Sequence, residues 1–228
     1  MTWASFINFC QDLLNWSEVW GILIPLFTLL GFKKRQPNLI NPIIIYLCLA
    51  LFMNLLADLI GDFKTFFPSF LKSNNPIYNI HSIIRFTCFT IYFITIKKLP
   101  VSNLKKVVIF SMCLFIFINF LFYENFFNYY ILSGSLLAVE AYLLLILCME
   151  YYLAELNDEV ENISGKKNFW IVTGLSIYVT VNFFIFLFYV PMIKENHLLA
   201  VQMWNVHNVA YLILCILIAK SFYVPVSY

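Results

Sequence analysis

Long stretches dominated by Leu, Ile, Phe and Val, separated by short polar links, occupy the chain from residue 13 to residue 222. They are Leu13–Phe32, Leu39–Ile60, Ile77–Ile96, Val107–Tyr123, Tyr129–Leu153, Phe169–Val190 and Leu199–Phe222. A membrane-crossing helix needs about 20 mostly apolar residues. The runs are continuous and lack the period-two alternation of a membrane barrel strand. Backbone groups in lipid must bond within their own segment, so each run is predicted to be a helix. The pattern predicts an all-α bundle of seven transmembrane helices, with residues 1–228 as a single domain. Asn15, Ser17 and Glu18 dilute the start of the first span. An alternative places Thr2–Trp16 in the interface as a short amphipathic helix.

Composition agrees with the pattern. Hydrophobic residues make up 62% and charged residues 11% of the 228 positions, and the mean hydropathy is +0.84. A soluble domain of this size does not carry so little charge. The net charge of +2 is too small to imply nucleic acid as a direct partner. The start, MTWASFINFCQDLLNW, lacks the basic region and small-residue cleavage site of a secretory signal. Cys10, Cys48, Cys88, Cys113, Cys148 and Cys215 form no CxxC pair, and neither a disulfide framework nor a metal site is expected from them.

Basic residues favour cytoplasmic loops. Lys33, Lys34, Arg35, Lys97, Lys98, Lys105, Lys106, Lys166, Lys167 and Lys220 fall on one side of the predicted bundle, and Lys64, Lys72 and Lys194 on the other. This asymmetry puts the N-terminus outside and the C-terminus in the cytoplasm. Trp3, Trp16, Trp20, Trp170 and Trp204 lie near span ends, where interfacial anchors belong. The longest inner link, residues 154–168, is predicted to extend the fifth span helically and to stop at Gly165. Its Glu155, Asp158, Glu159, Glu161, Lys166 and Lys167 form a solvated face and a candidate docking surface for a protein partner. Asn162-Ile163-Ser164 matches a glycosylation acceptor but falls on the cytoplasmic side. No loop is long enough to hold a folded domain, so any signal must pass to a separate partner. No convincing internal repeat supports a transporter architecture.

Ionisable and amide groups inside the spans are costly in lipid and therefore carry the functional expectation. Asn54, Asp58, His81, Arg85, Glu140, Asn182, Asn205, His207 and Asn208 make up this set. At 1.5 Å rise per residue most of them fall about 9–16 Å below the outer ends of their spans, which predicts one polar layer and a cavity open to the outside. Asn54 and Asp58 are four apart and share a helix face, as do His81 and Arg85. Glu140 has no charged neighbour on its own helix, and Arg85 is its natural partner because an arginine stays charged. Asp58 competes for the same arginine. The layer reads either as a structural staple or as a ligand-binding pocket.

Enzymatic signatures are weak. No mid-span lysine is placed for a retinal Schiff base in the last helix, and no GxSxG elbow is present. Ser133-Gly134-Ser135 reads as a small-residue packing patch. His81, His207 and Glu140 make a poor zinc set, so no metal, cofactor or catalytic residue is assigned.

Three stretches, NNPIYNIHSIIRF (74–86), NFWIVTGLSIYVTVNFFIF (168–186) and WNVHNVAYLILCILIA (204–219), resemble an uncharacterised family of small seven-helix membrane proteins of Bacteroidota-type bacteria. The resemblance implies a seven-helix bundle in a bacterial inner membrane and no activity. An acidic residue often stands in that family where this chain has Arg85. The reading that follows is a non-catalytic sensor or regulatory subunit with an outer-half pocket and a cytoplasmic or membrane protein partner. The alternatives are an accessory or effector protein of an antiviral, CRISPR-type defence system, oligomeric or pore-forming, and an intramembrane lipid hydrolase.

Overall fold

The computed structural model describes residues 3–32, 41–68, 73–96, 103–125, 132–157 and 166–224. Of these residues 92% are helical and none is in a strand. The helices are α1 (Trp3–Asn15), α2 (Ser17–Phe32), α3 (Asn41–Asp62), α4 (Asn75–Thr95), α5 (Asn103–Ile118), α6 (Gly134–Leu156), α7 (Lys167–Glu195) and α8 (His197–Tyr223). Six of them, α3 to α8, are long and apolar enough to cross a membrane, and α5 does so together with the π-helical turn Asn119–Tyr123 that continues it. The predicted first span is a bent pair. α1 and α2 meet at 64°, and the count reaches seven if the pair crosses as one span.

The bend at Trp16 is built from side chains that take up the backbone groups it frees. A helix end leaves its last carbonyls without intrahelical donors, a serious cost where water is absent. The Leu13 carbonyl accepts from Trp20 Nε1 at 2.8 Å. The Leu14 carbonyl accepts from Asn208 Nδ2 on α8 at 3.0 Å. The chain can therefore turn sharply at this point, and the polar residues that dilute the first apolar run mark the turn.

Packing closes α2, α3, α4, α6, α7 and α8 into a ring, each touching the next in the order α2–α3–α4–α6–α7–α8 and back to α2. The α7–α8 hairpin is the most extensive contact. Gly174 makes it close: a Cβ there would stand 3.0 Å from Leu217 Cβ. Between helices in lipid, association comes from close packing and hydrogen bonds rather than from water expulsion. The ring interior supplies both, with Tyr46, Phe89, Tyr92, Phe93, Tyr151, Tyr178 and Tyr211 fully buried. α5 stands outside the ring against α4 and α6, and only 17% of its apolar window is buried inside the bundle. Its Phe110, Phe117 and Phe122 are exposed.

One predicted boundary is corrected. α6 starts at Gly134 rather than Tyr129, and it ends at Leu156, where the Asn157 backbone N–H still reaches the Leu153 carbonyl. The described part resumes at Lys166, so the predicted extension to Gly165 and the Asn162-Ile163-Ser164 triplet lie outside the described residues. Ser133-Gly134-Ser135 does more than pack. Ser133 Oγ caps α6 by accepting from Leu136 N at 3.2 Å. Ser135 Oγ donates to Glu124 Oε1 at 2.8 Å.

Candidate functional site

The predicted polar layer separates into two buried networks and a cavity above them. The first network is the ion pair. Arg85 on α4 donates through Nε to Glu140 Oε1 and through Nη2 to Oε2 on α6, both at 2.6 Å. Ser82, one turn before Arg85, donates to the same Oε2 at 2.5 Å. Arg85 Nη1 donates to Tyr178 Oη on α7 at 2.7 Å. The planar fork of arginine matches a carboxylate bidentately, Ser82 adds a further donor to the carboxylate, and Tyr178 takes up another guanidinium N–H. Both partners are buried, at 7% and 1% side-chain exposure. From its own helix start, Arg85 is about 15 Å deep and Glu140 about 9 Å, so the starts of α4 and α6 are staggered. The depth expected for Glu140 came from placing the helix start five residues too early.

The second network centres on His207 of α8. Its Nε2 faces Glu18 Oε1 on α2 at 2.9 Å, and its Nδ1 faces Asn182 Oδ1 on α7 at 2.5 Å. Both ring nitrogens thus have an oxygen within hydrogen-bond distance, which fixes the ring between α2 and α7. Glu18 Oε2 accepts from Tyr78 Oη of α4 at 3.1 Å. Asn54 on α3 reaches the Glu18 carbonyl at 3.1 Å and Tyr211 Oη at 3.3 Å. Tyr178 joins the two networks: Arg85 lies over its ring at 5.0 Å, and its ring stands 5.7 Å from that of His207.

Above the second network lies a cavity of about 840 Å³. It sits among the end of α3, the start of α4, the end of α7, the start of α8 and α1. This is the end of the bundle opposite Lys166, Lys167 and Lys220. Asp58 and Asn205 of the predicted set line it. Asn205 exchanges hydrogen bonds with Gln11 of α1 at 2.9 and 3.2 Å. Asp58 does not compete for Arg85 and faces the cavity instead. The remaining members of the predicted set stand behind the wall. His81 shares the buried interior but turns to Tyr46, with ring centroids 6.0 Å apart, rather than toward Glu140. Trp204 stands about two turns into α8. It lines the cavity and packs on Tyr78, Tyr189 and His207 at 5.2, 5.3 and 5.0 Å.

Several participants escaped the sequence reading. Glu18 looked like dilution of a span, yet it is 3% exposed and holds the second network. Tyr78, Ser82 and Arg85 follow helix spacing along one face of α4, and Tyr178 lies one turn from Asn182. Those spacings were signals, but tyrosines are common in spans and did not stand out. Among the described residues no group of three His, Cys, Asp or Glu is arranged to hold a metal ion. All six cysteines are free.

At the opposite end, Glu155 is buried and pairs with Lys166. Lys167 is buried as well. Glu155 and Lys167 are therefore not part of a solvated face, and the Glu155–Lys166 pair joins the end of α6 to the residue before α7. Asp158, Glu159 and Glu161 lie outside the described residues.

No family model matches the chain, and no curated protein or solved structure matches it. The functional reading therefore rests on the geometry above.

Proposed function

We propose that this chain is a non-catalytic sensor or regulatory subunit of a bacterial inner membrane, with seven spans, the N-terminus outside and the C-terminus in the cytoplasm. It takes a small molecule into the outer cavity and passes the event to a separate cytoplasmic or membrane partner. The bent α1–α2 pair supplies the first span. The lysine asymmetry supports the orientation, and the cavity then opens outward.

The observation that carries this reading is Tyr78. Its ring forms part of the cavity wall, while its hydroxyl donates to buried Glu18. Glu18 holds His207 of α8, and His207 holds Asn182 of α7. A guest that moves Tyr78 changes hydrogen bonds linking α2, α4, α7 and α8. Two of those helices run on to the end that bears Lys166 and Lys220. A sensor needs this kind of connection between a site and the opposite end; a structural staple needs no cavity.

The test places a cysteine at Val201, on the cavity wall. A membrane-impermeant maleimide should label Val201→Cys above the background of the native cysteines. Occupying the cavity this way should change hydrogen exchange at the α6–α7 end. Tyr78→Phe should keep the labelling and lose the distant change. Labelling with no effect beyond the cavity would sink the sensing reading.

A further inference from the structure

Resting on that reading, we infer that the outer cavity is a binding site for a compact organic cation, a primary or quaternary ammonium.

Charge is the first argument. Asp58 and Asp62 are one turn apart on α3 and both line the cavity. Asp58 Oδ2 is enclosed and has no hydrogen-bond partner among the described residues. Glu18, behind Tyr78, and Asp62 both act on Asp58 with like charge. Lys194 is the single basic residue among the described residues of the wall, and it forms no ion pair with either aspartate. Carboxylates held together near a low-dielectric bundle, with no ion pair among the described residues, favour a cationic guest and disfavour an anionic one.

The walls supply the second argument. Tyr78, Tyr189 and Trp204 stand together on one side, with Trp204 packed against both tyrosines. Aromatic rings attract an ammonium through their quadrupole, and the attraction grows where water is excluded. A bare metal ion gains nothing from such walls and would need several oxygen ligands closing on one point. The volume is that of a small-molecule site. Asn75 also lines the cavity, and its amide carries an oxygen able to accept from an ammonium N–H.

The experiment uses the full chain in detergent micelles. The probes are tetramethylammonium and 1,5-diaminopentane, with tert-butanol as an uncharged match in shape and propionate as an anion. The ammonium probes should raise the melting temperature and protect Val201→Cys from maleimide, while tert-butanol and propionate do neither. Asp58→Asn and Asp62→Asn should each weaken ammonium binding about tenfold. Tyr189→Leu should weaken tetramethylammonium more than the diamine, because the quaternary cation has no N–H donor to fall back on. Binding of ammonium probes that ignores both aspartate variants would overturn the assignment. Protection by tert-butanol or propionate alone would also overturn it while leaving a pocket in place. Failure of Val201→Cys to label from outside at all would remove the pocket reading itself.

Discussion

Arg85 and Glu140 form a two-bond ion pair across α4 and α6, with both contacts at 2.6 Å. Tyr178 and Ser82 complete the shell around it. This pair fastens α4 to α6 within the ring. It lies deeper than the cavity and does not line it.

Breaking the pair leaves one buried charge uncompensated, at a cost of about 3–5 kcal/mol. Glu140→Gln and Arg85→Met should each lower detergent thermal stability by an amount in that range. The double variant should lose less than the two single losses added together. Strict additivity in the melting data would show that the two side chains do not act as a pair.

Glu18→Ala removes the acceptor for both Tyr78 and His207. Each buried donor left unpaired costs about 1–3 kcal/mol. Glu18→Gln keeps an acceptor oxygen and should lose less than Glu18→Ala. The comparison is made by unfolding in mixed detergent, and an alanine variant that melts like the parent would remove Glu18 from the network.

Two glycines should respond differently to the same change. A Cβ at Gly134 would stand 2.9 Å from the Phe186 carbonyl oxygen, which belongs to the α7 backbone and cannot step aside alone. A Cβ at Gly21 would meet the end of the Leu212 side chain at 2.7 Å, and that side chain can rotate away. Gly134→Ala should therefore cost about 1–3 kcal/mol through overpacking, and Gly21→Ala should stay within about 0.5 kcal/mol of the parent. Equal melting temperatures for the two variants would contradict the close approach of α6 and α7.

The proposed orientation is checked separately. A reporter fused after Tyr228 should be active in the cytoplasm, and a cysteine at Asn196 should label from outside. A C-terminus on the outer side would mean that the α1–α2 pair does not cross.

The acidic residues at and after the end of α6 should give two kinds of response. Asp158, Glu159 and Glu161 changed together to serine should leave stability intact and reduce recovery of a bound partner. Glu155→Ser should instead lower stability, because Glu155 is buried against Lys166. Unchanged partner recovery from the triple variant would clear this link of a docking role.

The apolar runs determined the all-α class and the positions of the long helices, because a run of that length in lipid has no other way to satisfy its backbone. They also showed which buried polar groups must find partners, and charge alone paired Glu140 with Arg85 correctly. Partner choice elsewhere was decided only by the tertiary structure. Asp58 and His81 share helix faces with Asn54 and Arg85, yet they serve different surroundings, since a shared face spans more than one neighbour. Glu18 joined His207 because the chain bends at Trp16, and the bend depends on Asn208 and Trp20 reaching back to the Leu14 and Leu13 carbonyls. Donors from 7 and 194 positions away support that turn, so periodicity within one segment could not reveal it. The cavity has the same origin: five helix ends meet around it, and their meeting depends on contacts between segments far apart in the chain.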